Sequence, residues 1–156
     1  MEKVKELTKS RVFEVVNIYK EYNKEDAEII KEVYTKFYNK PKKRRNPNVK
    51  DYILLKDNKV IAFSGYNKEE TETTDIFWLN WTAVKKDYLN NGYGRELINF
   101  IKEKILEKGG RKLYVSTSSK SPGAISFYQK LGFNKEATLK DYYRDGEDSI
   151  ILSMRL

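Results

Sequence analysis

Val84-Lys-Lys-Asp-Tyr-Leu-Asn-Asn-Gly-Tyr-Gly-Arg-Glu-Leu97 leads out of an apolar segment, through two glycines, and into a helical pattern. Upstream, Asp75-Ile-Phe-Trp-Leu-Asn-Trp-Thr-Ala-Val84 is apolar on both alternating faces, as a central strand covered on two sides reads. Downstream, Leu97, Ile98, Ile101 and Ile105 form a stripe opposite Glu96, Lys102 and Glu103, which predicts a helix over 92–107 stopped by Gly109-Gly110. A strand thus feeds a glycine turn and then a helix directly. The first four N–H groups of such a helix lack intrahelical acceptors, and its dipole adds about half a positive charge there. Gly92 and Gly94 would let a phosphate approach backbone that a Cβ blocks. The turn is no Walker loop, since no Gly-Lys-Ser/Thr follows, and it lacks the third glycine and downstream acid of a dinucleotide fingerprint. A tight turn with no ligand is the plain alternative.

Working outward, Val4 and Leu7 suggest a short strand. Val12, Val15, Val16 and Tyr19 suggest a helix capped by Ser10, and Asn23 with Asp26 opens a second helix carrying Ile29, Ile30, Val33, Tyr34 and Phe37. Two prolines and a charge block keep Lys40 to Pro47 irregular. Tyr52 to Leu55 and Val60 to Tyr66 flank Asp57-Asn58-Lys59 as a hairpin. Beyond the decisive segment lie a strand at Leu113 to Thr117, a helix from Ser121-Pro122 to Leu131, and two closing strands, Phe133 to Leu139 and Ser149 to Leu156. With no repeat and no linker, residues 1–156 read as a single domain of α/β (α+β) class.

The composition narrows the chemistry. Histidine and cysteine are both absent, which removes Cys/His metal sites, thiol nucleophiles and Ser-His-Asp triads, so no metal is expected. Carboxylates, hydroxyls, Tyr, Lys, Arg and backbone amides are what remain. The net charge is +8, from 31 Lys+Arg against 23 Asp+Glu. Such a balance suits nucleic acid, an anionic surface or a phosphate-bearing ligand, or simply solvates the surface. No apolar stretch approaches 18 residues and the N-terminus is charged, so the expectation is a cytoplasmic chain without a membrane span.

A second segment changes the odds. Ser121-Pro-Gly-Ala-Ile-Ser-Phe-Tyr-Gln-Lys-Leu-Gly-Phe133 reads alone as a short core helix, with Tyr128 as packing. Taken with Leu89-Asn-Asn-Gly92-Tyr-Gly94 and Trp81-Thr-Ala-Val-Lys-Lys-Asp-Tyr88, it resembles the GCN5-related N-acetyltransferase (GNAT) family. Two departures stand out: Leu89 replaces the usual Arg or Gln of the first motif, and Ser121 the usual Asn of the second. The resemblance covers about residues 75 to 133. It implies a mixed, mostly antiparallel sheet flanked by about four helices and splayed between the fourth and fifth strands.

What the resemblance implies can be placed residue by residue. The cofactor is acetyl-CoA. Its pantetheine arm would meet the backbone of Trp81, Thr82, Ala83 and Val84, and its pyrophosphate the amides of Leu89, Asn90, Asn91, Gly92, Tyr93, Gly94 and Arg95, with Ser119, Ser121 and Tyr128 completing the cofactor set. Tyr128 would protonate the departing thiolate; its pKa near 10 lies close above that of a thiol near 8.5. The strand position where many members carry a glutamate base is Asn80, leaving Asp75, Glu72 or a water chain for that task. Asn80, Tyr34, Tyr142 and Tyr143 are the candidate acceptor contacts, the last two because Leu139 to Asp148 resembles ribosomal-protein acetyltransferases.

The expected reaction is direct attack by a primary amine in a ternary complex, with a small-molecule amine first and a peptide amine (a protein N-terminus or lysine) as the alternative. A nucleic-acid-binding module using the basic block Lys40 to Asn46 is the rival from another class, and nucleic acid is disfavoured as a partner. Either a monomer or a homodimer fits.

Overall fold

Asn23 separates the first two helices, α1 at Val12–Lys20 and α2 at Lys24–Asn39. Its backbone is extended (φ −153°, ψ 115°) and its side chain accepts the Asp26 N–H at 3.0 Å, satisfying one donor that a helix start leaves over. Ser10 does not cap α1. It lies within a 3₁₀ turn, Lys9–Arg11, with its hydroxyl 3.1 Å from that of Thr8, and α1 begins after Arg11 without a side-chain cap.

The computed structural model describes residues 3–68 and 75–156. Its strands are β1 Lys3–Glu6, β2 Lys50–Lys56, β3 Lys59–Asn67, β4 Ile76–Leu79, β5 Ala83–Val84, β6 Lys112–Ser118, β7 Asn134–Arg144 and β8 Glu147–Arg155. The other two helices are α3 Tyr93–Leu106 and α4 Pro122–Lys130. The chain forms two compact units, Met1–Asn67 with Asn80–Ile101, and Lys68–Leu79 with Lys102–Leu156.

In the first unit β1 pairs antiparallel with β2, β2 with β3, and β3 with β5. Asp57 (φ +49°) and Asn58 (φ +60°) both adopt left-handed backbone, the two-residue turn whose twist matches a hairpin. Val15, Val16 and Ile18 of α1 and Ala27, Ile30 and Tyr34 of α2 bury against Ile53, Leu55, Val60 and Phe63. Gly65 faces Asp51 across the β2–β3 pair. A Cβ there would lie 2.3 Å from the Lys50 carbonyl oxygen and 2.5 Å from Asp51 Oδ1, so only glycine fits this register.

In the second unit β6 pairs with β8 and β8 with β7, both antiparallel, while β4 lies parallel to β6 through Ile76↔Lys112, Phe77↔Leu113 and Trp78↔Tyr114. Parallel neighbours need a long crossover, and the chain from 80 to 111, which includes α3, provides it. The mostly antiparallel α/β architecture, with four helices among the described residues, is as the sequence predicts. One expectation is corrected. The strand predicted across 75–84 is broken at 80–82, which divides it into β4 and β5.

Candidate active site

The turn ahead of α3 is built from backbone. The Lys85 N–H donates to the Ile61 carbonyl at 2.8 Å, Lys86–Tyr88 form one 3₁₀ turn, and Asn90 (φ +61°) and Gly92 (φ +83°) adopt left-handed backbone. The α3 ladder opens with Glu96 N–H donating to the Gly92 carbonyl at 2.9 Å, so the amides of Tyr93, Gly94 and Arg95 precede it with no helical carbonyl one turn back. A Cβ built on Gly92 meets nothing within 4 Å; the residue is needed for its φ, and the space beside it is open. Asn90, Asn91 and Arg95 are exposed, and the Asn91 amide donates to the Leu89 carbonyl at 2.8 Å. Leu89 is exposed too and offers no polar side-chain atom.

Lys56 brings a cation to this turn. Its Nζ donates to the Tyr93 hydroxyl at 2.8 Å and lies 5.3 Å from the Tyr93 ring centre and 5.8 Å from that of Tyr88. Sequence reasoning missed Lys56, because nothing local links the end of β2 to a turn 37 residues later. Open space, unladdered amides and a nearby lysine together fit an anionic group such as a pyrophosphate.

The strand break is held by side chains. Asn80 Nδ2 donates to Asp51 Oδ1 at 2.9 Å and to the Tyr66 carbonyl at 3.3 Å, while Asn80 Oδ1 accepts from Asn67 Nδ2 at 2.5 Å. Its backbone N–H donates to the Gly65 carbonyl at 2.9 Å. The Thr82 hydroxyl lies 2.6 Å from that of Ser64 and donates to the Asn80 carbonyl at 3.1 Å. Trp81 is half-buried and meets the Tyr34 ring edge to face at 6.0 Å. Of the backbone assigned to a pantetheine arm, Ala83 and Val84 pair with Phe63 and Ala62, and the Val84 carbonyl also accepts from the Tyr22 hydroxyl.

Beneath the break lies a residue that sequence reasoning did not single out. Asp51 is 2% exposed, and its Oδ1 accepts from both Tyr34 Oη (3.0 Å) and Asn80 Nδ2 (2.9 Å). Burial pushes its carboxyl up to about 6, with Glu6 adding to the rise and the bonds from Asn80 and Tyr34 opposing it. The same burial, with Asp51 alongside, holds the Tyr34 hydroxyl well above its usual range, so Tyr34 remains a donor. Tyr34 is itself 3% exposed and braces Asp51 through this bond. The only sequence signal was an acid inside the otherwise apolar run after Lys50.

This carboxyl ties stability to pH. An acid raised by folding stays protonated in the native chain where the unfolded chain has already ionised, so stability falls as pH rises from about 4 to about 6. At about 1.4 kcal/mol per pH unit the loss approaches 3 kcal/mol across that window. Asp51→Asn is expected to remove this slope, which urea melts of both chains at pH 4, 5, 6 and 7 would display; parallel wild-type and variant slopes would refute it. Glu6 on β1, itself paired with Lys50 at 2.9 Å, and Tyr34 and Tyr38 on α2 are the other titratable groups that act on this carboxyl.

In the second unit Tyr128 is buried at 6% exposure on α4, its ring edge-on to Phe127 (5.2 Å) and Phe133 (5.6 Å). The Ser119 N–H donates to the Asp148 carbonyl at 2.9 Å, and Ser119 Oγ accepts the Asp148 N–H at 3.0 Å. Ser121 precedes Pro122 as the N-cap of α4, without a side-chain capping bond. Tyr142 and Tyr143 are both exposed, their rings perpendicular at 5.1 Å. Asp75 is engaged in an ion pair, its Oδ2 accepting from Arg111 Nε at 2.7 Å. A carboxylate held by a guanidinium makes a poor proton acceptor. Glu72 lies outside the described residues.

Among the described residues no group of three or more His, Cys, Asp or Glu could hold a metal ion, and no helix is long and apolar enough to cross a membrane. The basic block is partly structural: Arg45 donates to the Lys40 and Tyr38 carbonyls, both at 2.9 Å, and lies 5.0 Å from the Tyr38 ring centre.

The chain as a whole resembles known proteins. Residues 12–133 match the model of the acetyltransferase (GNAT) family. The chain is 33% identical over 107 residues to the ribosomal protein bS18-alanine N-acetyltransferase of Escherichia coli (strain K12), spanning 67% of this chain and 70% of that one. Among solved structures, a GNAT-family protein from Desulfovibrio desulfuricans superposes with a TM-score of 0.88 at 22% identity over 99% of both chains. A GNAT family acetyltransferase from Elizabethkingia anophelis with acetyl-CoA bound gives 0.73 at 18% identity, over 99% of this chain and 98% of that one. At such identities the structural likeness is one of fold.

Proposed function

We propose, from the premise that this chain belongs to the acetyltransferase (GNAT) family, that it transfers an acetyl group to the α-amine of a peptide or protein. The single observation that carries the α-amine is the 33% identity, across two thirds of the chain, to an enzyme named for acetylating an alanine of a ribosomal protein. This puts first what the sequence alone held as the alternative to a small-molecule amine.

Physical chemistry supports the same ordering. A free α-amine, with a pKa near 7.7–8.0, costs about 1–1.4 kcal/mol to deprotonate at pH 7, whereas a lysine-like amine near 10.4 costs about 4.6 kcal/mol. Position 80 carries an amide, and its Nδ2 and Oδ1 are both engaged within the chain. An acceptor that needs little help in losing its proton suits such a strand.

Acetyl-CoA, the family's acyl donor, supplies an activated thioester. The amides of Leu89 to Arg95, with Lys56 beside them, would hold its pyrophosphate, and the backbone of Trp81 and Thr82 its pantetheine arm. The ligand carries about −4 at neutral pH, counting each terminal phosphate near −2. Lys85, Lys86, Arg95 and Lys120 are candidates to meet that charge. The buried Tyr128 would give its hydroxyl proton to the leaving sulfur, while Tyr142 and Tyr143, exposed and mutually perpendicular, would contact the acceptor.

Thiol release from acetyl-CoA across a panel of acceptors tests the reading. Short peptides with a free α-amine are expected to turn over at least tenfold faster than the same peptides α-blocked and carrying a lysine. Turnover confined to polyamines or amino sugars would install the small-molecule reading. A chain that binds RNA with steep salt dependence, and gains no thermal stability from acetyl-CoA, would point to the nucleic-acid module.

A further inference from the structure

We propose that Asp51 takes up the proton that the acceptor nitrogen loses during acetyl transfer, an assignment that rests on the function proposed above. The geometry points there first. Asp51 Oδ1 is fixed by two donors, whereas Oδ2 is buried with no hydrogen-bond partner among the described residues. A carboxyl group held in orientation through one oxygen, with the other unbonded, is arranged to accept a proton there. Gly65 makes the arrangement possible, since any Cβ at that position would press on Oδ1 and on the backbone of Lys50 and Asp51.

The alternatives are poorer. Asn80 has no basic atom, and Asp75 is clamped by Arg111. Glu136 is held below the usual carboxylate range chiefly by Ser153 and then Lys112, and Asp148 chiefly by the Asp141 backbone and then Lys140. Asp51 is the described carboxyl that burial moves toward neutral pH. Its direct bond to Asn80 sets it at the strand break. Being almost wholly covered, it acts through intervening water and does not touch the amine.

The balance closes. A bond forms between the acceptor nitrogen and the acetyl carbon, and the carbon–sulfur bond breaks. The nitrogen's proton passes to Asp51 Oδ2, and the sulfur receives the Tyr128 hydroxyl proton. Asp51 then releases its proton to solvent, and solvent restores that of Tyr128. An acid moved toward neutrality lies about two pK units from an α-ammonium but more than four from a lysine ammonium, so the assignment agrees with an α-amine acceptor.

The test exploits a difference between two substitutions. Asp51→Asn keeps an oxygen that can accept from both Tyr34 and Asn80 but cannot take up a proton; Asp51→Ala loses both bonds. At pH 7, Asp51→Asn is expected to lower kcat/KM for a free-α-amine peptide by about 10²-fold or more. It should also abolish the acid limb of the pH profile near 6 while leaving the thermal shift with acetyl-CoA unchanged. A readout independent of turnover is a carbon-13 titration of aspartate-labelled protein without ligands, in which one carboxyl resonance, absent from Asp51→Asn, should titrate close to pH 6. Wild-type rates and an intact limb in Asp51→Asn, with loss only in Asp51→Ala, would reduce Asp51 to a structural tie. An Asp51 resonance titrating below pH 5 would equally overturn the assignment. If the wild-type chain binds acetyl-CoA and acetylates no amine, the function proposed above is what fails, and this assignment falls with it.

Discussion

Tyr128→Phe is expected to slow acetyl transfer about 10²-fold while leaving the affinity for acetyl-CoA unchanged. The phenol oxygen is the only atom removed, and a Phe ring keeps the edge-on contacts with Phe127 and Phe133 at 5.2 and 5.6 Å. The fold should therefore persist, with thermal unfolding displaced by no more than a lost hydrogen bond, about 1 kcal/mol. Under the proposed transfer the departing sulfur then leaves without a positioned proton donor, and general-acid help is worth about 10²–10⁴ in rate. The measurement is kcat for thiol release alongside the melting temperature and the dissociation constant for acetyl-CoA. Unchanged kcat would remove Tyr128 from the leaving-group role. A fall in kcat that tracked an equal fall in stability would make it a packing residue.

Gly92→Val is expected to weaken acetyl-CoA binding at least tenfold with the chain still folded. Gly92 stands at φ +83°, and a β-branched residue pays about 1–2 kcal/mol or more for left-handed backbone, so the turn would relax to another conformation. A Cβ there meets nothing within 4 Å, so the change would not jam the core. What it would alter is the direction of the amides that start α3, on which the anion site depends. A ligand at 100 times its dissociation constant stabilises by about 2.7 kcal/mol, and at only ten times by about 1.4 kcal/mol. The acetyl-CoA-dependent melting shift should accordingly shrink by about half. An undiminished shift would mean that the turn does not carry the pyrophosphate.

The two substitutions also separate the parts of the reading. Gly92→Val tests whether the turn binds an anion at all, and Tyr128→Phe tests chemistry at constant binding. Asp51→Asn tests the proton on the acceptor side.

Much of the fold was legible in the sequence because local rules governed it. Asn23 with Asp26 marked the start of α2, since an extended Asn whose side chain reaches the third amide is a local device. Asp57-Asn58 marked the hairpin through its tolerance of left-handed backbone, and the glycines at 92 and 94 marked the strand-to-helix turn. Ser10 failed as a cap because a 3₁₀ turn took its place, a choice between two similar hydrogen-bond patterns that composition does not settle. The uninterrupted apolar run from 75 to 84 likewise concealed its break. Burial on both faces looks the same whether a strand runs unbroken or is interrupted at 80–82.

The sequence by itself determined that this protein has no histidine or cysteine chemistry, that a glycine turn presents helix-start amides, and that its strands and helices alternate in an α/β order. Tertiary structure alone decided which side chains serve that turn and that strand break. Lys56 meets Tyr93, and Asp51 meets Asn80 and Tyr34, across separations of 37, 29 and 17 residues. The reason is physical. Periodicity reports which face of an element is buried, whereas the ionisation of a carboxyl depends on how far it is removed from water and which donors reach it, and those are set only when distant strands close over it.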